Sequence, residues 1–227
     1  MSVSSRIAST TRLIMATLIC AAGLCAPPAN AEECLSSTQR GTYDGYFYSF
    51  WTDGGGSTNF CLQPNGRYTS QWSNVGSSVG GIGWQIGGRR AVTYSGTFDS
   101  SGNSFVALYG WTENPLIEYY IVDSWGSYRP TDGQGFMGTV VSDGGTYDVY
   151  RTQRVNAPSI EGTATFYQYW SIRQQKRAGG TITAGNHFDA WAAYDMNLGT
   201  HNYQIVATET SGSTGSSDIT IGDSGSS

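Results

Sequence analysis

Charged side chains make up only 13% of this 227-residue chain, and histidine occurs just twice. Two histidines build no imidazole-rich metal cluster; neither a metal nor a cofactor is expected. The formal net charge of −5 turns the chain away from nucleic acid and from anionic membrane surfaces. It also disfavours a polyanionic substrate, but it is indifferent to a neutral sugar polymer. Long apolar runs are missing apart from Leu13 to Leu24, which is too short to span a bilayer. No repeat of fixed period stands out. What the chain does have is glycine and aromatic surface, with 31 Gly, 15 Tyr and 7 Trp. That composition suits a sheet-rich exported protein that works through aromatic contacts.

Met1 to Ala31 reads as a secretory signal peptide. Arg6 and Arg12 give a basic start, Leu13 to Leu24 the apolar stretch, and Ala29-Asn30-Ala31 a small-x-small cleavage site. A lipoprotein reading at Cys25 fits less well, because Leu24 precedes it directly. The mature product is expected to be soluble, extracellular and monomeric. Cleavage removes Cys20 and Cys25 and leaves Cys34 and Cys61. A single pair in an exported protein is most simply a disulfide, the other reading being two separate buried thiols. Residues 32–222 then form one domain. Residues 223–227 are a Ser/Gly-rich tail or the start of a linker.

From Tyr43 to Gln153 short strand-like runs alternate with turn signals, such as Asp53-Gly54-Gly55 and Asn65-Gly66. This spacing implies an all-β sandwich or jelly roll. One helix interrupts it, expected over Asn186 to Asn197. Asn186 would be its N-cap, Asp189 would lie near the positive end of its dipole, and Phe188, Trp191, Ala192 and Met196 would form its apolar stripe. His187 reads as structural. Asn156 to Gly162, with its proline and glycine, interrupts two strands. The last run, SGSTGSSDITIGDSGSS, is Ser/Gly-rich around one short strand, Asp218 to Ile221.

The stretch PLIEYYIVDSW, Pro115 to Trp125, carries the chemistry. Side chains alternate across a strand, so Leu116, Glu118, Tyr120 and Val122 share one face, and Ile117, Tyr119, Ile121 and Asp123 the other. An acid thus sits mid-strand among aromatic and apolar residues. It is either a surface glutamate on a solvated face or a catalytic carboxylate in an aromatic cleft. The second reading needs a partner, and Glu209 in YQIVATE supplies one. On that strand Tyr203, Ile205, Ala207 and Glu209 share a face. Glycoside hydrolysis with retention uses two carboxyl groups roughly 5–5.5 Å apart.

PLIEYYIVDSW resembles the first active-site motif of glycoside hydrolase family 11, the β-jelly-roll endo-1,4-β-xylanases. FWTDGGG, WSNVG, GWQIGGRR, YSGTF, LYGW, SDGGTYDVY, TQRVNAPSIEGTATFYQYWSIRQ, GNHFDAW and MNLG resemble further family segments in family order, from about Gly45 to about Ile221. The resemblance implies two antiparallel sheets forming a jelly-roll sandwich, with one α-helix packed on the outside. It assigns Glu118 as nucleophile and Glu209 as acid/base. It matches Tyr109, Tyr120, Arg154 and Gln168 to groups around the nucleophile and the sugar. Trp51 matches a platform for a xylose ring, Tyr203 a contact from the far strand, and Pro158 and Ile160 the mobile thumb over the cleft. Three positions depart from the family pattern. Thr210 and Ser211 stand where Gly and an aromatic are usual, and a Gly position can need backbone that a β-branched residue resists. Ser77 stands beside the acid/base where Asn or Asp is usual.

The function implied is endo-hydrolysis of β-1,4 bonds in xylan or xylo-oligosaccharides. A non-catalytic xylan-binding protein and a β-1,4-glucanase on the same fold are the alternatives.

Overall fold

The computed structural model describes residues 31–222. The expected leader, apart from Ala31, and the tail 223–227 lie outside the described residues. The strands are β1 (Glu33–Leu35), β2 (Gln39–Tyr43), β3 (Tyr46–Thr52), β4 (Ser57–Gln63), β5 (Arg67–Trp84), β6 (Ala91–Glu113), β7 (Ile117–Trp125), β8 (Phe136–Ser142), β9 (Gly145–Ser159), β10 (Gly162–Arg173), β11 (Gly179–Thr183) and β12 (Thr200–Ile221). One helix, α1 (Ala184–Ala193), follows β11, and a 3₁₀ turn spans Pro130–Gly133. No helix among the described residues is long and apolar enough to cross a membrane.

The strands join edge to edge in the order β1-β4-β5-β12-β6-β7-β10-β9-β8, with β3 and β2 added on β5 and β11 on β6. Strands β5, β6 and β12 run for 18, 23 and 22 residues and serve both layers of the sandwich. The first half of β5 pairs with β4 and its second half with β3. A direct sign of the doubling-back comes from β12, where the hydroxyls of Thr208 and Ser217 meet at 2.8 Å. Nine residues of straight strand would hold them about 30 Å apart.

The bend is made by the Ser/Gly-rich run. Register shifts interrupt the pairing of β12 between Ser211 and Thr214 and between Ser213 and Gly215. Gly212 adopts φ +55°, and a side chain on Gly215 would lie 2.4 Å from the Asp99 carbonyl. The expectation of a short final strand is therefore corrected. The run before Asp218 shows no strand pattern because its residues are small, but small residues are what a folded-over strand needs at its corner.

The pairs are antiparallel, as expected, except β7 with β10. These two run parallel, from Tyr167 opposite Ile117 to Ile172 opposite Val122. The β8–β9–β10 meander attaches to β7 through its third strand, which returns in the direction of β7. Alternation along β7 is as read from the sequence. Ile117, Tyr119 and Ile121 enter the core between the layers, and Tyr120 and Val122 enter an aromatic cluster on the concave side. Residues Ile117 to Ser124 are all buried.

The helix starts earlier and ends sooner than expected. Thr183 precedes it as N-cap, held by the Asp143 carboxylate through its backbone N–H at 2.8 Å and its hydroxyl at 2.7 Å. Asn186 sits inside the first turn and donates to the Ser142 hydroxyl at 3.0 Å. Asp189 pairs with Arg89 instead of serving the dipole. Asp195, at φ +55°, turns the chain after the helix ends. Phe188, Trp191 and Met196 are buried as expected, whereas Ala192 is exposed. Cys34 and Cys61 lie opposite each other on β1 and β4 and form the expected disulfide. Closing a separation of 27 residues contributes about 3–4 kcal/mol on a chain-entropy estimate.

His187 is fully buried, edge-on to the Tyr147 ring at 4.6 Å, with no partner for either ring nitrogen. Burial pushes its pKa down to about 3, with Asp143 opposing and Arg177 reinforcing the shift. An exposed histidine takes up its proton near 6.5. Unfolding therefore gains a proton as the pH falls below about 6.5, and stability drops progressively until the folded state also protonates near 3. At pH 4.5 this amounts to about 2–3 kcal/mol relative to pH 7. Urea unfolding at both pH values should show that loss reduced by a similar amount in His187→Leu. An equal loss in both proteins would contradict it.

Candidate active site

Cross-strand register sets the concave side in rows. Trp111, Glu118, Gln168 and Thr152 stand in one row across β6, β7, β10 and β9. The next row holds Tyr109, Tyr120, Trp170 and Tyr150. Glu209 belongs to a third, between Val79 on β5 and Phe105 on β6, with Trp51 on β3 beyond Val79. Ser77, Ser211 and Asn103 form a fourth. Each row is straight because the pleat repeats every two residues.

Members of all four rows line a cleft of about 730 Å³, with Thr152, Trp170, Tyr150 and Phe105 outside its wall. Every cleft residue expected from the sequence is on its wall: Glu118, Glu209, Trp51, Tyr109, Tyr120, Arg154, Gln168, Tyr203, Ser77, Pro158 and Ile160. The last two come from the β9–β10 hairpin, which is tighter than expected. Strand β9 continues through Asn156, Ala157 and Pro158, and only Ile160 and Glu161 lie between the strands. The Ser159 hydroxyl closes this turn, donating to the Gly162 carbonyl at 2.7 Å and accepting from the Glu161 N–H at 3.0 Å.

Glu118 is buried and held at both oxygens. The Tyr109 hydroxyl donates to Oε1 at 2.7 Å and Gln168 Nε2 donates to Oε2 at 2.7 Å. The Tyr120 hydroxyl reaches both Glu118 and Glu209. Burial raises the Glu118 carboxyl above the usual range, while the bonds from Gln168, Tyr109 and Tyr120 and the charge of Arg154 pull it back. Glu209 lacks that set of donors. Burial and the charge of Glu118 push it up to about 8, opposed by Tyr120 and Arg154. Burial also raises the phenols of Tyr109, Tyr120 and Tyr203, so they stay protonated as donors. The arrangement is one raised carboxyl group with donors that favour its charge and, beside it, a second without that set, raised to about 8. Such a pair can attack a carbon centre from one side and protonate an oxygen from the other.

The departures resolve differently. Thr210 has ordinary strand backbone, without positive φ, and its buried hydroxyl bonds Ser78 at 2.8 Å. The expected backbone conflict is absent there; the residue that needs φ > 0 is Gly212. Ser77 lies one diagonal step from Glu209 on the same face, opposite Ser211. The sequence reading missed Trp111, Thr152 and Trp170. All three were within reach of it, since each alternates with a named residue: Trp111 with Tyr109, Thr152 with Arg154, Trp170 with Gln168.

Comparison with known proteins agrees with this geometry. A family model described as glycosyl hydrolases family 11 matches residues 43–220. Ethylene-inducing xylanase 1 of Botryotinia fuckeliana is 57% identical over 202 residues, covering 87% of this chain and 72% of its own. Ethylene-inducing xylanase of Penicillium digitatum is 53% identical over 195 residues, or 86% and 90% of the two chains. Endo-1,4-beta-xylanase 11A of Humicola insolens is 50% identical over 215 residues, or 94% and 97%. Similarity of that depth and span, over the whole cleft-bearing sandwich, means that the chain belongs to glycosyl hydrolase family 11.

Proposed function

We propose that this protein is an exported endo-1,4-β-xylanase that cleaves internal xylan bonds with retention of configuration. The observation that carries this reading is the asymmetry of the two carboxyl groups. Glu118 receives donors at both oxygens, while Glu209 is pushed up to about 8 by burial and by Glu118. Glu118 is the nucleophile. Its oxygen attacks the anomeric carbon as that carbon's bond to the leaving oxygen breaks, and Glu209 gives its proton to that oxygen. The product is a glycosyl ester on Glu118 and a carboxylate on Glu209. Glu209 then takes a proton from water, the water oxygen attacks the anomeric carbon, and Glu118 leaves as a carboxylate. Two inversions give net retention.

The remaining cleft residues hold the sugar. Trp51 offers a flat face to a pyranose, Tyr203 approaches from β12, and Pro158 and Ile160 meet the chain from the hairpin. Gln168 and Arg154 keep Glu118 ionised. The relatives' names favour xylan over a β-1,4-glucan.

Reducing-sugar release should be seen from xylan and not from cellulose, and proton NMR of the first product should show the β anomer. An initial α anomer would rule out the double displacement. Glu118→Gln should abolish turnover and leave xylan binding largely intact.

A second outcome concerns Ser77, which carries no charge at working pH. In Ser77→Asp a new carboxylate one diagonal step from Glu209 would share its proton, so the productive form has both groups protonated. The optimum of kcat/KM should then move to lower pH than in the wild type. Plain repulsion would do the opposite, raising Glu209 further and extending activity upward. An unchanged or more alkaline optimum would overturn proton sharing.

A further inference from the structure

Each oxygen of Glu118 ends a hydrogen-bond chain that starts at an indole. In the first, Trp111 Nε1 donates to the Tyr109 hydroxyl at 2.6 Å, and that hydroxyl donates to Glu118 Oε1 at 2.7 Å. In the second, Trp170 Nε1 donates to Thr152 Oγ1 at 3.0 Å and Thr152 Oγ1 donates to Gln168 Oε1 at 3.1 Å. Gln168 Nε2 then donates to Glu118 Oε2 at 2.7 Å. Trp111, Gln168 and Trp170 are buried and Thr152 is half-buried, so most of these bonds are sheltered from water.

An indole N–H donates and never accepts. That one fact gives both chains a direction. The Tyr109 hydroxyl, having accepted from Trp111, has its single proton left for Glu118. The Thr152 hydroxyl, having accepted from Trp170, has its single proton left for the amide oxygen of Gln168. The amide is thereby held with its oxygen toward Thr152 and its NH₂ toward Glu118. Flipping it would set oxygen against the carboxylate and NH₂ against the donor proton of Thr152. A protonated Glu118 would have to donate from an oxygen that already faces a donor.

We propose that Trp111, Trp170 and Thr152 are positioning residues that keep Glu118 ionised by fixing the direction of these two chains. The inference rests on Glu118 being the nucleophile. Trp170 acts by a second route as well, since its ring stacks on Tyr120 at 3.9 Å and 6°, and Tyr120 reaches both carboxyl groups. Other groups also face Glu118. Arg154 from β9 favours its charge, Glu209 from β12 opposes it, and the phenols of Tyr109, Tyr120 and Tyr203 remain protonated. Thr152 has no charge, so any effect it has on Glu118 passes through its bonds to Gln168 and Trp170.

The test is kcat/KM against pH on soluble xylan for the wild type, Thr152→Val, Thr152→Ser and Trp170→Phe. Each protein is first checked for cooperative thermal unfolding. Thr152→Val removes the hydroxyl, and Trp170→Phe removes the indole N–H while keeping an aromatic ring. In both, the acid limb should move up by roughly half to one pH unit. KM should change less than kcat. Thr152→Ser keeps the hydroxyl and should return the limb to the wild-type position. If Thr152→Val does not fold, Thr152→Ala takes its place, because Trp170→Phe also disturbs the stack on Tyr120. A limb unmoved in the folded deletion, or moved equally by Thr152→Ser, would overturn the directional lock. Glu118→Gln run alongside separates the two failures: substantial turnover there would sink the nucleophile assignment itself, and the lock with it.

Discussion

Two buried carboxyl groups in one cleft resist being charged together. At the roughly 5 Å typical of retaining glycosidases and an effective dielectric constant of about 20, such a pair repels by roughly 3 kcal/mol. One of them must hold its proton while the other is ionised, and the surroundings decide which. Here the choice is made by donors. Glu118 receives bonds from Tyr109 and Gln168, and Glu209 has no comparable set. The acid and the nucleophile of the proposed reaction are two glutamates of the same chemistry with different neighbours.

The sandwich supplies those neighbours through register. Gln168 reaches Glu118 because β10 runs parallel to β7 with these two residues opposite each other. A slip of one residue would turn every side chain of β10 to the other face and leave Glu118 without its partner. Burial of β7 on both faces holds that register, with Tyr119 against Trp191 of the helix on one side and Tyr120 against Trp170 on the other. Glu209 depends on β12 in the same way, and β12 reaches both layers only because its Ser/Gly run bends.

Much of this was legible in the sequence. Period-two alternation put Glu118 and Tyr120 on one face and Tyr119 on the other. Asn65-Gly66 announced a hairpin turn, and both residues adopt the positive φ that such a turn requires. The family motifs gave the cleft residues by position. What was not legible depended on partners distant in sequence. The helix start was set by Asp143, which no local capping pattern shows. The final strand was expected only over Asp218 to Ile221, because the small residues before it carry no strand pattern, although small residues are what a tight corner needs. The parallel pairing of β7 with β10 depends on how many strands intervene at the sheet edge. Thr152 and Trp170 acquire their meaning only once β9 and β10 are paired.

Carbon-13 NMR of protein labelled at the glutamate carboxyl carbons, followed from pH 3 to pH 9, bears most directly on the asymmetry between the two groups. Glu118→Gln and Glu209→Gln supply the assignments. The predicted result is that Glu118 ionises first, in the acid range, and that Glu209 follows at a clearly higher pH and titrates lower once Glu118 is made neutral. Ionisation of Glu209 before Glu118, or ionisation of both together at ordinary carboxylate values, would contradict it.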